Sequence, residues 1–395
     1  MISKEFLDML SQKSVIREIF AYGSERAKEI GYENVFDYSL GNPSVPTPVE
    51  FKEKIIEILQ ENDPMAVHGY SPTLGIPSVR QAVAESLNTR FGMKYEMKHI
   101  FMTSAAAGAI AHALRLVTVP GDEVITFAPY FSEYIPYVNK TGAKLKVVPA
   151  DTKSFQVNFE GLDAMMNEKV MAILINTPNN PSGCVYSEET IKKLAAYLKE
   201  KEQEYSHPIY IISDEPYREI VFDKVTVPYV AKYYNNTLTC YSFSKSVSLP
   251  GERIGYLAVA PGCEGEDVLA DMAGQVSRGI GHNCPSSLMQ LALPSILYKT
   301  SDLSVYETNM NILYDALTDM GFECVRPGGT FYMFPKALEE DAKAFCNKAL
   351  KYDLLLVPGD GFECPGYFRM AYCIDTEKVK RAMERMKKFV NEVYR

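Results

Sequence analysis

The chain has 395 residues, of which 47% are apolar and 23% are charged, and its formal net charge at pH 7 is −9. This length suits two domains rather than one core, and the composition excludes a disordered or fibrous protein. The negative charge argues against a nucleic-acid-binding protein, whose surface would carry a basic face.

Segments typical of membrane, secreted or metal-binding proteins are not found. No uncharged stretch approaches the roughly 18–20 residues that span a bilayer, and the first ten residues, MISKEFLDML, carry charges that exclude a signal peptide. None of the eight cysteines forms a CxxC pair, and the five histidines have no metal-ligand spacing. We therefore expect a cytoplasmic protein with reduced thiols and without a metal, membrane or nucleic-acid partner.

Short β-rich segments alternate with helical segments along the chain. The predicted strands are IFMTS (100–104), EVITFAP (123–129), KLKVVPA (144–150), VMAILINTP (170–178), IYIISDE (209–215) and LTCYSFS (238–244). The intervening helices include AAAGAIAHALRLV (105–117) and SEETIKKLAAYLKEK (187–201), which begins at a serine cap. This alternation predicts an α/β fold with a mainly parallel sheet covered by helices on both faces.

Four of the predicted strands are followed by residues suited to ligand binding. SAAAG (104–108) opens a helix whose N-terminus favours a phosphate. NTPNNPSG (176–183) is a turn with three asparagines, the strand at 209–213 is followed by Asp214, and the last strand leads into Ser244 and Lys245. Each feature alone has an ordinary structural explanation. Because ligands bind beyond the carboxyl ends of parallel strands, the set predicts one site at that edge.

The segment YSFSKSVSLPGERIGY (241–256) contains a lysine in an unusual setting. Lys245 lies among hydroxyl, aromatic and aliphatic residues, and the only acid of this segment is Glu252. Arg253 follows eight positions after the lysine. An amine shielded from water near another cation has a lowered pKa and can attack carbonyl groups. A lysine Schiff base with an aspartate at the ring nitrogen is the arrangement expected for pyridoxal 5′-phosphate. We expect Lys245 to hold the aldehyde, Asp214 to face the ring nitrogen and Arg253 to face the phosphate.

This lysine segment resembles that of the class I/II aminotransferases, the fold-type I pyridoxal-phosphate enzymes, and in particular bacterial aspartate aminotransferase-like proteins. Eight further segments occur in the family's order: LGNP (40–43), YSPTLG (70–75), SAAAG (104–108), FAPYFSEY (127–134), NTPNNPSG (176–183), SDEPY (213–217), PGGTFYMF (328–335) and YFRMAYC (367–373). The resemblance implies a large domain at 48–290 with a seven-stranded, mainly parallel sheet. It also implies a smaller α+β domain formed by residues 1–47 and 291–395.

The resemblance assigns cofactor roles to further residues. Tyr130 would stack on the cofactor ring, and Asn180 and Tyr217 would hydrogen-bond to its hydroxyl group. Tyr70 would reach the phosphate in the neighbouring subunit of a homodimer. The phosphate ligands would be the backbone N–H groups of Ala106 and Ala107 and the side chains of Ser242, Ser244 and Arg253.

The resemblance also assigns the substrate contacts. Arg369 would clamp the α-carboxylate, because a guanidinium fixes the carboxylate plane with two parallel N–H bonds. Gly41 and Asn180 would frame the same group. The second arginine that reads a dicarboxylic substrate in some relatives has no clear match, and Arg17 and Arg278 are both open candidates that could equally be structural.

The implied reaction moves the amino group of a small or acidic L-amino acid, aspartate being one candidate, to a 2-oxo acid such as 2-oxoglutarate by a ping-pong mechanism. Lys245, Asp214 and Tyr217 would form the catalytic set. Two alternatives stay open. A C–S β-lyase would use the same lysine, aspartate and arginine, and a non-catalytic cofactor-binding regulator would need an N-terminal DNA-binding domain, for which the family match beginning at LGNP (40–43) leaves no room.

Overall fold

The computed structural model describes residues 2, 4–11, 15–222 and 224–395. The strands of this part of the chain are β1 (Phe36–Asp37), β2 (Ile100–Thr103), β3 (Glu123–Phe127), β4 (Lys144–Val148), β5 (Val170–Asn176), β6 (Tyr210–Asp214), β7 (Thr237–Ser242), β8 (Gly255–Val259), β9 (Tyr332–Met333), β10 (Leu354–Leu355), β11 (Val357–Pro358) and β12 (Phe368–Ala371). Its α-helices are α1 (Lys4–Ser11), α2 (Val15–Ile30), α3 (Val49–Glu61), α4 (Pro64–His68), α5 (Pro77–Phe91), α6 (Ala105–Val117), α7 (Tyr134–Asn139), α8 (Phe159–Met165), α9 (Glu188–Tyr205), α10 (Leu269–Ile280), α11 (Ser287–Ala292), α12 (Ser304–Asp319), α13 (Ala342–Leu350) and α14 (Thr376–Tyr394).

A seven-stranded sheet forms the centre of the protein. Its strand order is β2-β8-β7-β6-β5-β3-β4, and every pair is parallel except the two pairs that involve β8. The α/β fold with a mainly parallel sheet expected from the sequence is therefore present. β8, whose residues GYLAV begin at the end of the lysine segment, is the strand of this sheet that the sequence pattern did not predict.

Helices cover both faces of this sheet because the side chains of its strands alternate between them. Along β5, Ala172 and Leu174 pack toward α6, whereas Ile173 and Ile175 pack toward α9. Helix α9 begins where the sequence predicts, since the Ser187 side chain accepts a hydrogen bond from the backbone N–H of Thr190 at 3.0 Å. Buried faces on both sides leave only the edges and strand ends free to bind a ligand.

The N-terminal and C-terminal parts of the chain pack together beside the sheet. β1 pairs with β10 in parallel, and β11, β12 and β9 form an antiparallel sheet. Phe36 and Tyr38 lie in one apolar cluster with residues of α12, α13 and α14. This packing agrees with a small unit built from both ends of the chain, and the boundaries at residues 48 and 290 stay a prediction.

Candidate active site

A cavity of about 360 Å³ lies at the carboxyl edge of the central sheet. The last residues of three neighbouring strands line it: Asn176 of β5, Asp214 of β6 and Ser242 of β7. The start of α6 closes the cavity on one side, and Arg369 of β12 enters from the small antiparallel sheet. The topology thus brings together residues that are far apart in the sequence, such as Ala105 and Arg369.

Lys245 extends into this cavity from the loop that follows β7. Its ammonium group donates a hydrogen bond to the carbonyl oxygen of Gly41 at 2.7 Å. Burial lowers the pKa of Lys245 to about 8, while the Cys373 thiol raises this pKa and the charges of Arg253 and Arg369 lower it. A lysine amine with this pKa is partly neutral near physiological pH and is available as a nucleophile or a base.

Asp214 ends β6 with its carboxylate buried. The hydroxyl of Tyr134 donates to Oδ2 at 2.6 Å, and Oδ1 is buried without a hydrogen-bond partner. Burial raises the pKa of Asp214 to about 7, although the hydrogen bond from Tyr134 opposes this shift. A buried carboxylate oxygen without a donor is costly, and the protonated ring nitrogen of a pyridoxal cofactor is a donor that suits it.

The first turn of α6 and the loop after β7 form an anion-binding corner. Ala105, Ala106 and Ala107 line the cavity where α6 begins, and the free N–H groups of a helix N-terminus favour a phosphate. The Ser242 hydroxyl donates to the Ser244 hydroxyl at 2.5 Å and accepts from the Ser244 backbone N–H at 3.0 Å. These hydroxyl groups lie at the same cavity wall as the helix start.

Arg253 supplies the positive charge of this corner. Its guanidinium donates to the Pro250 carbonyl at 3.0 Å and forms no ion pair within the described part of the chain. Arg253 and Ala105 have φ values of 50° and 61°, in the left-handed region that non-glycine residues rarely occupy. Such conformations concentrate at functional sites, which agrees with a phosphate position between the two residues.

Arg369 is a buried cation that lacks an acidic partner among the described residues. Its Nη1 group donates to Asn180 Oδ1 at 3.1 Å, and Nη2 donates to the Ser39 carbonyl at 2.6 Å. Its Nε is buried without a partner, and burial lowers the pKa of the guanidinium. A buried guanidinium with a free N–H group is suited to binding a carboxylate ligand.

Two tyrosines and a glycine shape the wall between Lys245 and Arg369. The Tyr217 hydroxyl donates to the Tyr332 hydroxyl at 3.3 Å, and the guanidinium of Arg369 lies 4.7 Å from the centre of the Tyr332 ring. A side chain at Gly41 would overlap the Tyr332 hydroxyl. Gly41 therefore allows the close approach that also places its carbonyl against Lys245.

Tyr130 is the predicted cofactor residue that the structure does not bring into the cavity. Its ring is buried in the core beside α6, and its hydroxyl donates to Glu363 Oε1 at 2.8 Å. The next residue, Phe131, lines the cavity instead. The turn after β3 directs the two adjacent side chains differently, and the stacking role expected for Tyr130 stays a prediction.

Three further predicted residues lie outside the cavity lining. Arg17 is exposed on α2, although its neighbour Ile16 lines the cavity, and Arg278 is exposed on α10, where it donates to Gln275 at 3.0 Å. Tyr70 is fully exposed on this chain. Its expected role in a neighbouring subunit stays a prediction.

The structure also reveals site residues that the sequence did not single out. They are Ile16, Ser39, Leu40, Phe131, Tyr137, Asn176 and Tyr332 in the cavity wall, and Tyr134 behind Asp214. Asn176 donates to the Asp214 carbonyl at 2.8 Å and accepts from the Asn180 backbone N–H at 2.7 Å. Asn176 could have been identified from the sequence because it is the first residue of the predicted turn NTPNNPSG.

Metal-ligand clusters and membrane spans are absent from the residues that the structure describes. Nowhere in this part of the chain do three or more His, Cys, Asp or Glu side chains form a group that could hold a metal ion. No described helix is both long and apolar enough to cross a bilayer.

Comparisons with known proteins identify the family to which this chain is similar. The family model described as aminotransferase class I and II matches residues 33–386. An aspartate aminotransferase of Thermotoga maritima is 30% identical over 367 residues, covering 91% of this chain and 92% of that protein. A probable N-acetyl-LL-diaminopimelate aminotransferase of Bacillus subtilis is 29% identical over 372 residues, covering 91% of this chain and 90% of that protein. A solved aminotransferase structure from Eubacterium rectale is 45% identical, has a TM-score of 0.97 and covers 100% of both chains.

The chain belongs to the class I and II aminotransferases, and it is a pyridoxal-phosphate-dependent enzyme of fold type I that acts on small-molecule substrates. The residues of the cavity fit the cofactor on independent grounds. Asp214 has an unpartnered buried oxygen for the ring nitrogen, and the lysine amine and anion-binding corner lie in the same cavity. The family and cofactor expected from the sequence are thereby confirmed.

Proposed function

We propose that this enzyme transfers the amino group of an L-amino acid to a 2-oxo acid by a ping-pong mechanism in which Lys245 is both covalent anchor and base. The observation that carries the proposal is that Lys245 and the unpaired guanidinium of Arg369 share one cavity with the buried carboxylate of Asp214. An α-amino acid presents its amine and its carboxylate on the same carbon. Both groups therefore meet a partner at once.

Lys245 performs the proton movement in this proposal. Pyridoxal phosphate supplies, when bound, an electron-withdrawing ring that accepts the electron pair of the substrate Cα–H bond. With the cofactor bound, the free amine of Lys245, whose pKa burial lowers to about 8, would be the base that takes the proton from the substrate Cα. An arginine could not act in this way because it stays protonated.

The other residues hold and orient the reacting groups. Asp214 would hold the proton of the ring nitrogen and Phe131 would face the ring. The hydroxyl of Tyr217 and the amide of Asn180 would hydrogen-bond to the ring hydroxyl. Arg369 clamps the α-carboxylate with Gly41 and Asn180 beside it. The phosphate position is formed by Ala106, Ala107, Ser242, Ser244 and Arg253, whose placement around one corner supports this assignment.

A homodimer completes the proposed enzyme. Tyr70 is fully exposed on the single chain. Large apolar side chains on α3 and α4, two helices that pack against each other, are exposed as well. Met65 on α4 has 81% of its surface exposed. Exposed apolar surface of this kind is typical of an interface, and it supports a dimer in which Tyr70 reaches the phosphate of the neighbouring site.

Aspartate and 2-oxoglutarate are the reference substrates suggested by the resemblance. The T. maritima relative is named an aspartate aminotransferase, and the B. subtilis relative is named for a different substrate at nearly the same identity. Sequence identity at this level therefore supports an aminotransferase reaction, and the preferred amino acid has to be determined by experiment.

The test compares Lys245→Ala with the matched control Lys232→Ala, which removes an exposed lysine outside the cavity. Each protein is loaded with pyridoxal phosphate, treated with borohydride and digested for mass spectrometry, and transamination is followed with a panel of amino acids. We expect Lys245→Ala to lose the modified peptide and at least about 10²–10⁴-fold in rate, because the anchor and the base are removed together. Lys232→Ala should keep both.

A modified peptide that does not include residue 245 would contradict the proposal, as would normal rates in Lys245→Ala. The same wild-type assay, run with cystathionine and without any oxo acid, addresses the lyase alternative. Pyruvate and ammonia formed faster than any transamination product would show a C–S β-lyase instead.

A further inference from the structure

We infer that Glu363 is a positioning residue for the substrate carboxylate. By accepting a hydrogen bond from the Tyr130 hydroxyl, it holds the loop that packs Phe362 against Arg369. This inference rests on the proposed function, in which Arg369 binds the α-carboxylate, and it gives that binding a further requirement. Glu363 is not among the described residues that line the cavity, so it acts through its neighbours.

The hydrogen bond joins two segments that each supply the cavity with a side chain. Tyr130 lies in the turn after β3 of the central sheet, and the next residue, Phe131, lines the cavity. Glu363 lies in the loop between β11 and β12, and β12 carries Arg369. The Tyr130 hydroxyl donates to Glu363 Oε1 at 2.8 Å. Because a hydroxyl and a carboxylate form a short, charge-assisted pair, this bond fixes the distance between the two segments.

The donor of this hydrogen bond is held firmly in the core. The ring of Tyr130 is fully buried in the apolar cluster beside α6. It stacks on Tyr134 with the ring centres 6.3 Å apart, and the Tyr134 hydroxyl donates to Asp214. Burial and the hydrogen bond to Glu363 raise the pKa of Tyr130 above its ordinary value. The hydroxyl therefore stays a donor throughout the physiological pH range.

The loop that carries Glu363 packs directly against Arg369. A short 3₁₀-helical turn (Gly359–Phe362) follows β11, whose Val357 pairs with Arg369. Phe362, the residue before Glu363, is fully buried, and its ring centre lies 5.1 Å from the Arg369 guanidinium. A cation shielded from water by an aromatic ring attracts a carboxylate more strongly. A displaced loop would admit water to Arg369 and weaken its contact with the substrate.

The backbone of Glu363 is strained for a residue other than glycine. Its φ of 53° and ψ of 37° lie in the left-handed region, which glycine occupies without a steric cost. Such strain persists where the surrounding structure requires a particular side chain. The hydrogen bond to Tyr130 is a requirement of this kind.

A purely structural role is the competing explanation. In that case the hydrogen bond would stabilise the contact between the central sheet and the small antiparallel sheet without acting on the substrate. The two explanations differ in what the loss of the bond changes. A structural contact changes the melting temperature, whereas a positioning residue changes KM for every substrate that carries the α-carboxylate.

The first experiment compares the holoenzymes of wild type, Tyr130→Phe, Glu363→Gly and the double variant. Tyr130→Phe keeps the ring and removes the hydroxyl alone. We expect each single change to raise KM by about tenfold for every amino acid and 2-oxo acid that reacts, with kcat nearly unchanged, because one charge-assisted hydrogen bond corresponds to roughly that factor. The double variant should be no worse than either single variant, since both remove the same bond. An unchanged KM in both single variants, or additive effects in the double variant, would overturn the inference.

Glu363→Gln separates the hydrogen bond from the charge. Glutamine keeps an acceptor oxygen at the same reach and lacks the negative charge. We therefore expect the KM of Glu363→Gln to lie much closer to that of wild type than the KM of Glu363→Gly does. Equal values for the glutamine and glycine variants would show that the charge acts instead of the hydrogen bond, and the inference would fail.

Each variant has a matched control outside the described cavity lining. Tyr197→Phe removes another tyrosine–carboxylate hydrogen bond of 2.8 Å, to Asp163, and Ser206→Gly changes a residue that ends α9 with φ 59° and ψ 32°. Both controls should keep the wild-type KM. Glu363→Gly should keep or raise the melting temperature, as Ser206→Gly should, because glycine adopts this conformation without strain. A lower melting temperature of Glu363→Gly with an unchanged KM would show a structural contact and overturn the inference.

A binding measurement gives a readout that does not depend on turnover. Butanoate carries a carboxylate and no amine, and its binding to the holoenzyme is measured by calorimetry. We expect Tyr130→Phe and Glu363→Gly each to weaken this binding by about tenfold and to leave the affinity for pyridoxal phosphate unchanged. Wild-type affinity for butanoate in both variants would overturn the inference. A wild-type enzyme that binds butanoate and converts no amino acid would instead refute the proposed function, while the binding data would still decide the role of Glu363.

Discussion

Asp214 has the most strongly perturbed carboxylate of the catalytic cavity, and this perturbation can be measured. Burial raises its pKa from an ordinary value of 3.8 to about 7. Between these two values the folded protein without cofactor binds a proton that the unfolded chain does not bind. The stabilisation of the folded state that this proton provides is therefore fully present below pH 3.8. It is lost as the pH rises through about 7.

Asp214→Asn removes this titration. We expect the difference in unfolding free energy between wild type and Asp214→Asn, both without cofactor, to fall between pH 4 and pH 7 by up to about 1.4 kcal/mol per pH unit. Urea unfolding at several pH values measures the difference. Asp319→Asn, which changes an exposed carboxylate on α12, should show no such slope. A pH-independent difference for Asp214→Asn would mean that its pKa in the folded protein is ordinary.

The sequence indicated which residue types form the site more readily than which side chains point into the cavity. Lys245 and Arg369 stand out in the sequence because each is a cation in an apolar segment, where burial without a binding partner is costly. The structure places both in the cavity. The sequence pattern favoured Tyr130 as the ring-stacking residue, whereas the adjacent Phe131 is the side chain of this turn that lines the cavity. The choice depends on the Tyr130 hydroxyl meeting Glu363, which is 233 residues away, and no local pattern encodes that contact.

At the scale of elements, the contact between β8 and the start of α6 sets the shape of the anion-binding corner. A side chain at Gly255 would overlap the backbone carbonyl of Tyr241 on β7 and lie 2.9 Å from the Cα of Ala105. Both are backbone atoms that cannot move independently of their elements. Gly255 thus allows α6 to begin close against the sheet, at the point where Ala105 has its positive φ.

Gly255→Ala should therefore separate α6 from β8. We expect a loss of stability of about 1–3 kcal/mol, typical of overpacking, together with weaker pyridoxal-phosphate binding, measured by thermal unfolding and by cofactor titration. Gly279→Ala on α10 is the control, because nothing lies within 4 Å of the added methyl group. If Gly255→Ala keeps the stability and cofactor affinity of the wild type, the corner does not depend on this close approach.

The sequence pattern predicted most strands of the central sheet but not β8, and the difference has a physical reason. Apolar β-rich runs followed by turn residues identify β2 to β7, and the resemblance to a fold family supplied the number of strands. β8 was not predicted because no helix separates its residues GYLAV from β7. The alternation of strands and helices therefore does not indicate a strand at this position. The antiparallel placement of β8 between β2 and β7 depends on long-range pairing that a single sequence does not reveal.

At the scale of the whole molecule, the N-terminal region is tied to the C-terminal region through the site. Leu40 and Gly41 line the same cavity as Arg369, and the Arg369 guanidinium donates to the Ser39 carbonyl. β1 and β10 hold these segments in register. The proposed substrate contacts therefore depend on a long-range assembly of both chain ends, whereas the proposed cofactor contacts come mainly from the central sheet.

The proposed dimer makes a decisive prediction at this scale. Lys245→Ala removes the anchor from a chain's own site, whereas Tyr70→Ala removes a residue that should serve the neighbouring site. When the two inactive or weakly active variants are mixed, unfolded and refolded together, half of the dimers should be mixed. One of the two sites in each mixed dimer then has both Lys245 and Tyr70, so we expect activity per chain to recover to on the order of a quarter of the wild-type value.

This recovery separates the two possible locations of Tyr70. If Tyr70 acted in the site of its own chain, each site of a mixed dimer would lack one of the two residues, and mixing would restore nothing. Sedimentation of the refolded mixture verifies that dimers form, and refolding each variant alone gives the background rate. Tyr70 is fully exposed on the isolated chain, where its ring stabilises nothing. Recovery of activity only on mixing would therefore assign it to the neighbouring subunit.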